Sequence, residues 1–190
     1  VRVIRGDVRS VGAIDIGPRN DELVVFGGPP CQGFSTSNQR TRNRDNPRNW
    51  LFKEFLRLVA EIQPEWVVFE NVAGILQTDD GYFTQTFQRR LRRLGYRCSS
   101  GLLNAADFGC PQKRSRFFII GARDRSAPSL PPADRNIVAP TLWEAIADLP
   151  VLENGASTDV LPYSGKAASN YAANLRGRLK KCTGNLVSRN

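Results

Sequence analysis

Leu23-Val24-Val25-Phe26-Gly27-Gly28-Pro29-Pro30-Cys31-Gln32 carries an apolar run straight into a proline-rich loop that presents one cysteine. The run predicts a short buried strand, and the glycines and prolines predict its end. Two prolines fix φ and remove backbone donors, while the glycines let the chain turn sharply and let another molecule approach the backbone. Such a loop suits a nucleophile better than an inert structural thiol. Further on, Trp66-Val67-Val68-Phe69 runs into Glu70-Asn71-Val72. This sets a carboxylate at the carboxyl end of a second strand, the edge at which open α/β sheets bind ligands.

Between these strands, Asn38 to Asn49 is polar and carries Arg40, Arg42, Arg44 and Arg48 among asparagines, which reads as a basic loop. From Trp50, apolar residues at Leu51, Phe52, Phe55, Leu58, Val59 and Ile62 follow helical spacing up to Pro64. A second helix is expected over Tyr82 to Leu94, with Phe83, Phe87, Leu91 and Leu94 on one face and Gly95 as its cap. Strands are expected at Arg2 to Ile4, near Arg97 to Asn104, and at Phe117 to Ile120. Strands alternating with helices predict an α/β fold with right-handed crossovers and a mostly parallel sheet. Prolines at 128, 131, 132 and 140 then mark a linker, Thr141-Leu142-Trp143-Glu144 reads as a capping box, and the chain beyond Leu152 is expected to be loop. The division expected is a partial catalytic domain over 1–127 and a peripheral segment over 128–190.

With 27 Lys and Arg against 18 Asp and Glu, the net charge of +9 favours a polyanionic partner such as nucleic acid. Histidine is absent and the four cysteines form no C-x-x-C pair, so the chain lacks the usual zinc ligands and no metal is expected. No apolar run approaches the roughly 18 residues that span a bilayer, and no secretion signal is visible, so an intracellular chain with reduced thiols is expected. A start at Val1 without any methionine suggests a fragment of a longer chain.

A thiolate and a carboxylic acid acting together suit addition to an electron-poor ring. With Cys31 attacking C6 of a cytosine and Glu70 holding a proton near N3, C5 becomes able to accept an electrophilic methyl group. A third element, Gln112-Lys113-Arg114-Ser115-Arg116, precedes the Phe117 to Ile120 strand. Its arginines reach a carboxyl-edge site only if that strand runs antiparallel to its neighbours, an arrangement common near the edge of mixed sheets.

Taken together, these segments resemble the DNA (cytosine-5) methyltransferase family over about Val3 to Arg123. Gly28-Pro29-Pro30-Cys31-Gln32-Gly33-Phe34-Ser35 is similar to its catalytic loop, Glu70-Asn71-Val72 to its glutamate motif, and Gln112-Lys113-Arg114-Ser115-Arg116 to its Gln-x-Arg-x-Arg motif; Leu103 to Gly109 is also similar. The resemblance implies a Rossmann-like S-adenosylmethionine-dependent fold with a reversed last strand, incomplete at both ends. It also implies a flipped-out cytosine in double-stranded DNA as substrate, Cys31 as nucleophile, Glu70 as the N3 partner and Arg116 facing the cytosine O2. Arg114, Gln32 and Ser35 are implied near the DNA backbone, and Arg40, Arg42 and Arg44 are expected on DNA phosphates. Asp7 and Val8 match the position that meets the cofactor's adenine, and Pro30 and Leu51 match positions lining the methyl-donor pocket.

The family's Phe-x-Gly-x-Gly cofactor turn is expected upstream of Val1, and its target-recognition region and closing motifs beyond Asn190. The chain is therefore expected to be inactive alone and to need a complementing polypeptide. A non-catalytic DNA-binding remnant, one subunit of a split enzyme, and an RNA cytosine methyltransferase remain as alternatives. A cytosine deaminase is excluded, because Phe34 stands where the second cysteine of its zinc motif belongs and histidine is absent. Bacterial modification, in the cytoplasm at the nucleoid, is the role that the resemblance implies by default.

Overall fold

The structure, a computed structural model, describes residues 5–11, 21–30, 51–134, 136–157, 160–163 and 165–178. They fall into two compact units, 1–103 with 115–132 and 104–114 with 133–190. The strand expected at Arg2 to Ile4 lies outside the described residues.

The first unit is built on β1 (Val24–Gly27), α1 (Phe52–Ile62), β2 (Trp66–Val72), α2 (Tyr82–Arg93), most of β3 (Tyr96–Asn104) and β4 (Ser115–Arg123). α1 follows its apolar stripe, burying Phe52, Phe55, Leu56 and Val59, and ends where Gln63 turns left-handed at φ 47° and donates its N–H to the Val59 carbonyl. Pro64 follows and prevents continuation. α2 buries Phe83, Phe87 and Leu91, and the chain reverses at Gly95, whose φ of 90° costs little without a Cβ. Leu94 departs from the expected stripe. It caps the helix and remains 37% exposed, because the turn at Gly95 begins before another full helical step is completed.

The sheet order is β1-β2-β4-β3. β1 runs parallel to β2, with Gly27 opposite Phe69, and β4 runs antiparallel to β2, with Phe118 opposite Glu70 and Arg116 opposite Val72. The reversal required to bring the arginine motif to the glutamate is therefore present, although β4 lies between β2 and β3 rather than at an edge. On one face of the sheet, Val67, Phe69, Phe117 and Ile119 are buried against the two helices. Phe87 sits at the centre of this layer, with ring centroids 4.2 Å from Phe69 and 5.8 Å from Phe55. Offset and tilted packing of this kind suits the ring quadrupoles. β1 is less buried than its apolar run predicts: Val24 and Phe26, on the other face, are 53% and 67% exposed.

The second unit contains α3 (Leu142–Ile146) and α4 (Asn170–Arg178). The capping box forms as expected, Thr141 Oγ1 accepting from the Glu144 N–H and the Glu144 carboxylate accepting from the Thr141 N–H at 2.7 Å. α4 arises in the stretch expected to be loop. Ala172 is its one described side chain that is fully buried, which leaves no periodic stripe to read, and Ser169 Oγ starts it by accepting from the Ala172 N–H at 3.0 Å.

Candidate active site

The register of β1 and β2 brings Gly28, the residue after β1, beside Glu70 near the carboxyl end of β2. A Cβ on Gly28 would lie 2.8 Å from the Glu70 Oε2, and one on Gly27 would lie 2.6 Å from the Phe55 ring. Neither glycine has positive φ. They are required for the close approach of neighbouring side chains, and the sharp turn expected of them from sequence is not their role.

Glu70 Oε1 pairs with the Arg116 Nε at 2.9 Å, the two side chains being 27% and 23% exposed. The pairing follows from the antiparallel register: Arg116 faces Val72, and a same-face step separates it from Phe118, the partner of Glu70. Next to Glu70, Asn71 is 3% exposed; its Nδ2 donates to the Pro29 carbonyl at 3.1 Å and its Oδ1 accepts from the Val72 N–H at 3.0 Å. Asn71 thereby ties the root of the Pro29-Pro30 loop to β2. Its sequence position beside Glu70 was the available signal for this role; Gly28 stood out in sequence as a residue of close approach, but not as the neighbour of Glu70.

A cleft of about 690 Å³ opens in the same unit, within the range of small-molecule sites. Its walls include Asp7 and Val8 from the first turn, Pro30 from the loop, and Leu51, Phe55 and Leu58 from α1. Asp7, Val8, Pro30 and Leu51, matched to the cofactor from sequence, are thus brought to one cavity. Asp7 caps the 3-10 turn Val8–Ser10: its Oδ1 accepts from the Arg9 N–H at 2.9 Å and its Oδ2 pairs with the Arg9 Nη2 at 2.6 Å. The side-chain hydrogen bond from Arg9, aided by the backbone one, lowers the Asp7 pKa to about 2. The cleft joins apolar walls to the paired Asp7 and Arg9 side chains, a lining that fits an adenosine-bearing cofactor.

Arg114 belongs to the second unit, where its N–H donates to the Asn104 Oδ1 at 3.1 Å and its carbonyl accepts from the Ala105 N–H; its side chain is exposed. Cys31, Gln32, Ser35, Arg40, Arg42 and Arg44 lie outside the described residues. Arg89, Arg90, Arg92 and Arg93 are exposed on α2, as the polar face of a helix. Among the described residues no group of three His, Cys, Asp or Glu side chains is placed to hold a metal, and no helix is long and apolar enough to cross a membrane.

Residues 2–181 match the family of C-5 cytosine-specific DNA methylases. The chain belongs to this family. Among its relatives, the type II methyltransferase M1.HphI of Haemophilus parahaemolyticus is 42% identical, over 73% of this chain and 37% of that protein. M.DdeI of Desulfomicrobium norvegicum is 37% identical over 93% of this chain and 44% of its own length. DNA (cytosine-5)-methyltransferase 1 of Mus musculus is 28% identical over 92% of the chain and 13% of its own. The chain thus spans less than half the length of each of these methyltransferases. A solved structure of a candidate DNA modification methyltransferase encoded within an E. coli prophage superposes with a TM-score of 0.57 and 26% identity, covering 87% of this chain and 50% of that one. The mixed α/β sheet is accordingly that of S-adenosylmethionine-dependent methyltransferases.

Proposed function

We propose that the chain supplies the catalytic side chains of a DNA cytosine-5 methyltransferase acting on a base flipped out of the duplex. The observation that carries this reading is the Glu70–Arg116 pair, held at the carboxyl end of β2 beside the root of the loop that leads to Cys31. In the proposed reaction the Cys31 thiolate bonds to C6 of the cytosine, and the electron pair of the C5–C6 double bond moves into the ring. Glu70 holds a proton at N3, where the charge collects, and Arg116 donates to O2. S-adenosylmethionine, when bound, supplies the electrophilic methyl group that C5 accepts. A base then removes the C5 proton, the C5–C6 double bond re-forms, and the carbon–sulfur bond breaks to release Cys31 as thiolate.

Asp7, Val8, Pro30 and Leu51 are assigned to the cofactor, and Arg114, Gln32, Ser35, Arg40, Arg42 and Arg44 to the DNA backbone. Residues 1–127 are taken as the catalytic portion and 128–190 as peripheral. Because the chain spans under half of the relatives' length, methyl transfer is assigned to it only together with a complementing polypeptide, and transfer by the chain alone would overturn that part.

The test is covalent trapping. The chain is fused to the complementary portion of M.DdeI and incubated with 5-fluorocytosine DNA and the methyl donor, since fluorine at C5 blocks the final elimination. An adduct that is present in the parent and absent in Cys31→Ser is expected; an adduct that survives in Cys31→Ser moves the nucleophile elsewhere.

A further inference from the structure

The turn that carries Asp7 and Val8 is held by a side chain from the helix on the other wall of the cleft. On α1, Arg57 is half-buried, and each of its nitrogens is engaged. Nε pairs with Glu54 at 2.8 Å and Nη1 with Glu61 at 2.8 Å, one on the turn before and one on the turn after. These two carboxylates aim Nη2 away from the helix, where it donates to the carbonyls of Val8 at 3.0 Å and Val11 at 2.9 Å. The two carbonyls bracket the 3-10 turn Val8–Ser10, whose N–H groups at Ser10 and Val11 are hydrogen-bonded within the turn and whose cap is Asp7.

We propose that Arg57 is a positioning residue for the cofactor cleft: its guanidinium fork fixes the Gly6 to Val11 turn against α1, so that Asp7 and Val8 face Leu51, Phe55 and Leu58 before the ligand arrives. The proposal rests on the reading of the cleft as the cofactor site. Short exposed turns of this kind are costly to order when a ligand binds, and pre-ordering removes that cost from the binding step. Arginine is needed because four acceptors lie around one planar group in divergent directions. A lysine ammonium keeps the charge but presents its three donors from one point and cannot reach both carboxylates and both carbonyls.

An alternative role, support of α1 alone through the pairs to Glu54 and Glu61, predicts a different pattern of change. Arg57→Lys is therefore examined in two ways. Quench-flow hydrogen exchange on the 190-residue chain reads the Arg9, Ser10 and Val11 amides beside those of α1. Calorimetric titration of the M.DdeI fusion reads its affinity for S-adenosylhomocysteine. Exchange at the three turn amides is expected to rise about tenfold with α1 little changed, and affinity to fall about tenfold, which corresponds to about 1.4 kcal/mol. Affinity for DNA is expected to stay at the parent value.

Unchanged exchange at the turn, or acceleration of α1 to the same extent, would overturn the proposal, as would unchanged affinity. If the parent fusion binds no S-adenosylhomocysteine, the cofactor reading of the cleft fails, while the exchange data still decide whether Arg57 holds the turn. Should Arg57→Lys not fold, Glu54→Gln with Glu61→Gln leaves the guanidinium in place but unaimed. That pair of changes is expected to give a smaller acceleration at the same three amides, and no change there is the overturning result.

Discussion

Gly28→Ala adds one methyl group at the point where the β1 loop meets the Glu70 carboxylate. The new Cβ would lie 2.8 Å from Oε2, 0.6 Å inside the 3.4 Å at which ordinary contact begins. The backbone on either side is held, by the pairing of Gly27 with Phe69 and by Asn71 on the Pro29 carbonyl, so the carboxylate is the group that yields. Its other oxygen is bonded to Arg116 at 2.9 Å, and a rotation that relieves the clash stretches that pair toward the limit of a useful hydrogen bond. The pair is roughly one-quarter exposed, so losing it costs only about 0.5–1 kcal/mol of stability. Displacing the group proposed to meet the base edge costs much more in rate, on the order of a hundredfold for a misplacement approaching 1 Å. Gly28→Ala in the M.DdeI fusion is therefore expected to keep a near-parental urea midpoint while losing about a hundredfold in transfer of labelled methyl groups to DNA. Activity within about threefold of the parent would refute the claim that Gly28 exists to make room for Glu70.

Asn71→Ala removes both bonds of a buried amide, leaving the Pro29 carbonyl and the Val72 N–H short of partners, and is expected to cost about 1–3 kcal/mol in urea unfolding; an unchanged midpoint would mean that the loop root is held by something else. Tyr96 is buried, with its hydroxyl donating to the Pro64 carbonyl at 2.7 Å, and burial pushes its pKa up to about 12. The folded state thus retains the phenol proton more tightly than the unfolded chain does. The resulting stabilisation is complete below about pH 10, the ordinary tyrosine value, and is lost as pH rises through 12. The stability difference between the parent and Tyr96→Phe should shrink over that interval, and a constant difference would contradict the assignment.

Much of the arrangement was legible in the residues themselves. The stripes Phe52-Phe55-Val59 and Phe83-Phe87-Leu91 became the buried faces of α1 and α2, and Thr141 with Glu144 became a capping box, because helix formation and capping depend on neighbours within one or two turns. The reversed β4 was legible for a different reason: Arg116 lies at the start of one strand and Glu70 near the end of another, so only an antiparallel pair brings the two together. α4 escaped notice because its contacts leave no repeating apolar pattern, and Leu94 was misplaced because a glycine turn ends a stripe without changing its composition.

The chemical inventory of this protein, a carboxylate near one strand's end and arginines around the start of another, was written in its order of residues, since each motif lies within a few consecutive positions. Beyond the Glu70–Arg116 pair, which groups meet was decided by tertiary structure. Gly28 against Glu70, Asn71 on the Pro29 carbonyl and Arg57 across to Val8 and Val11 are contacts between residues about 40 to 50 positions apart. They exist because strand register and helix packing set distances that no local pattern encodes.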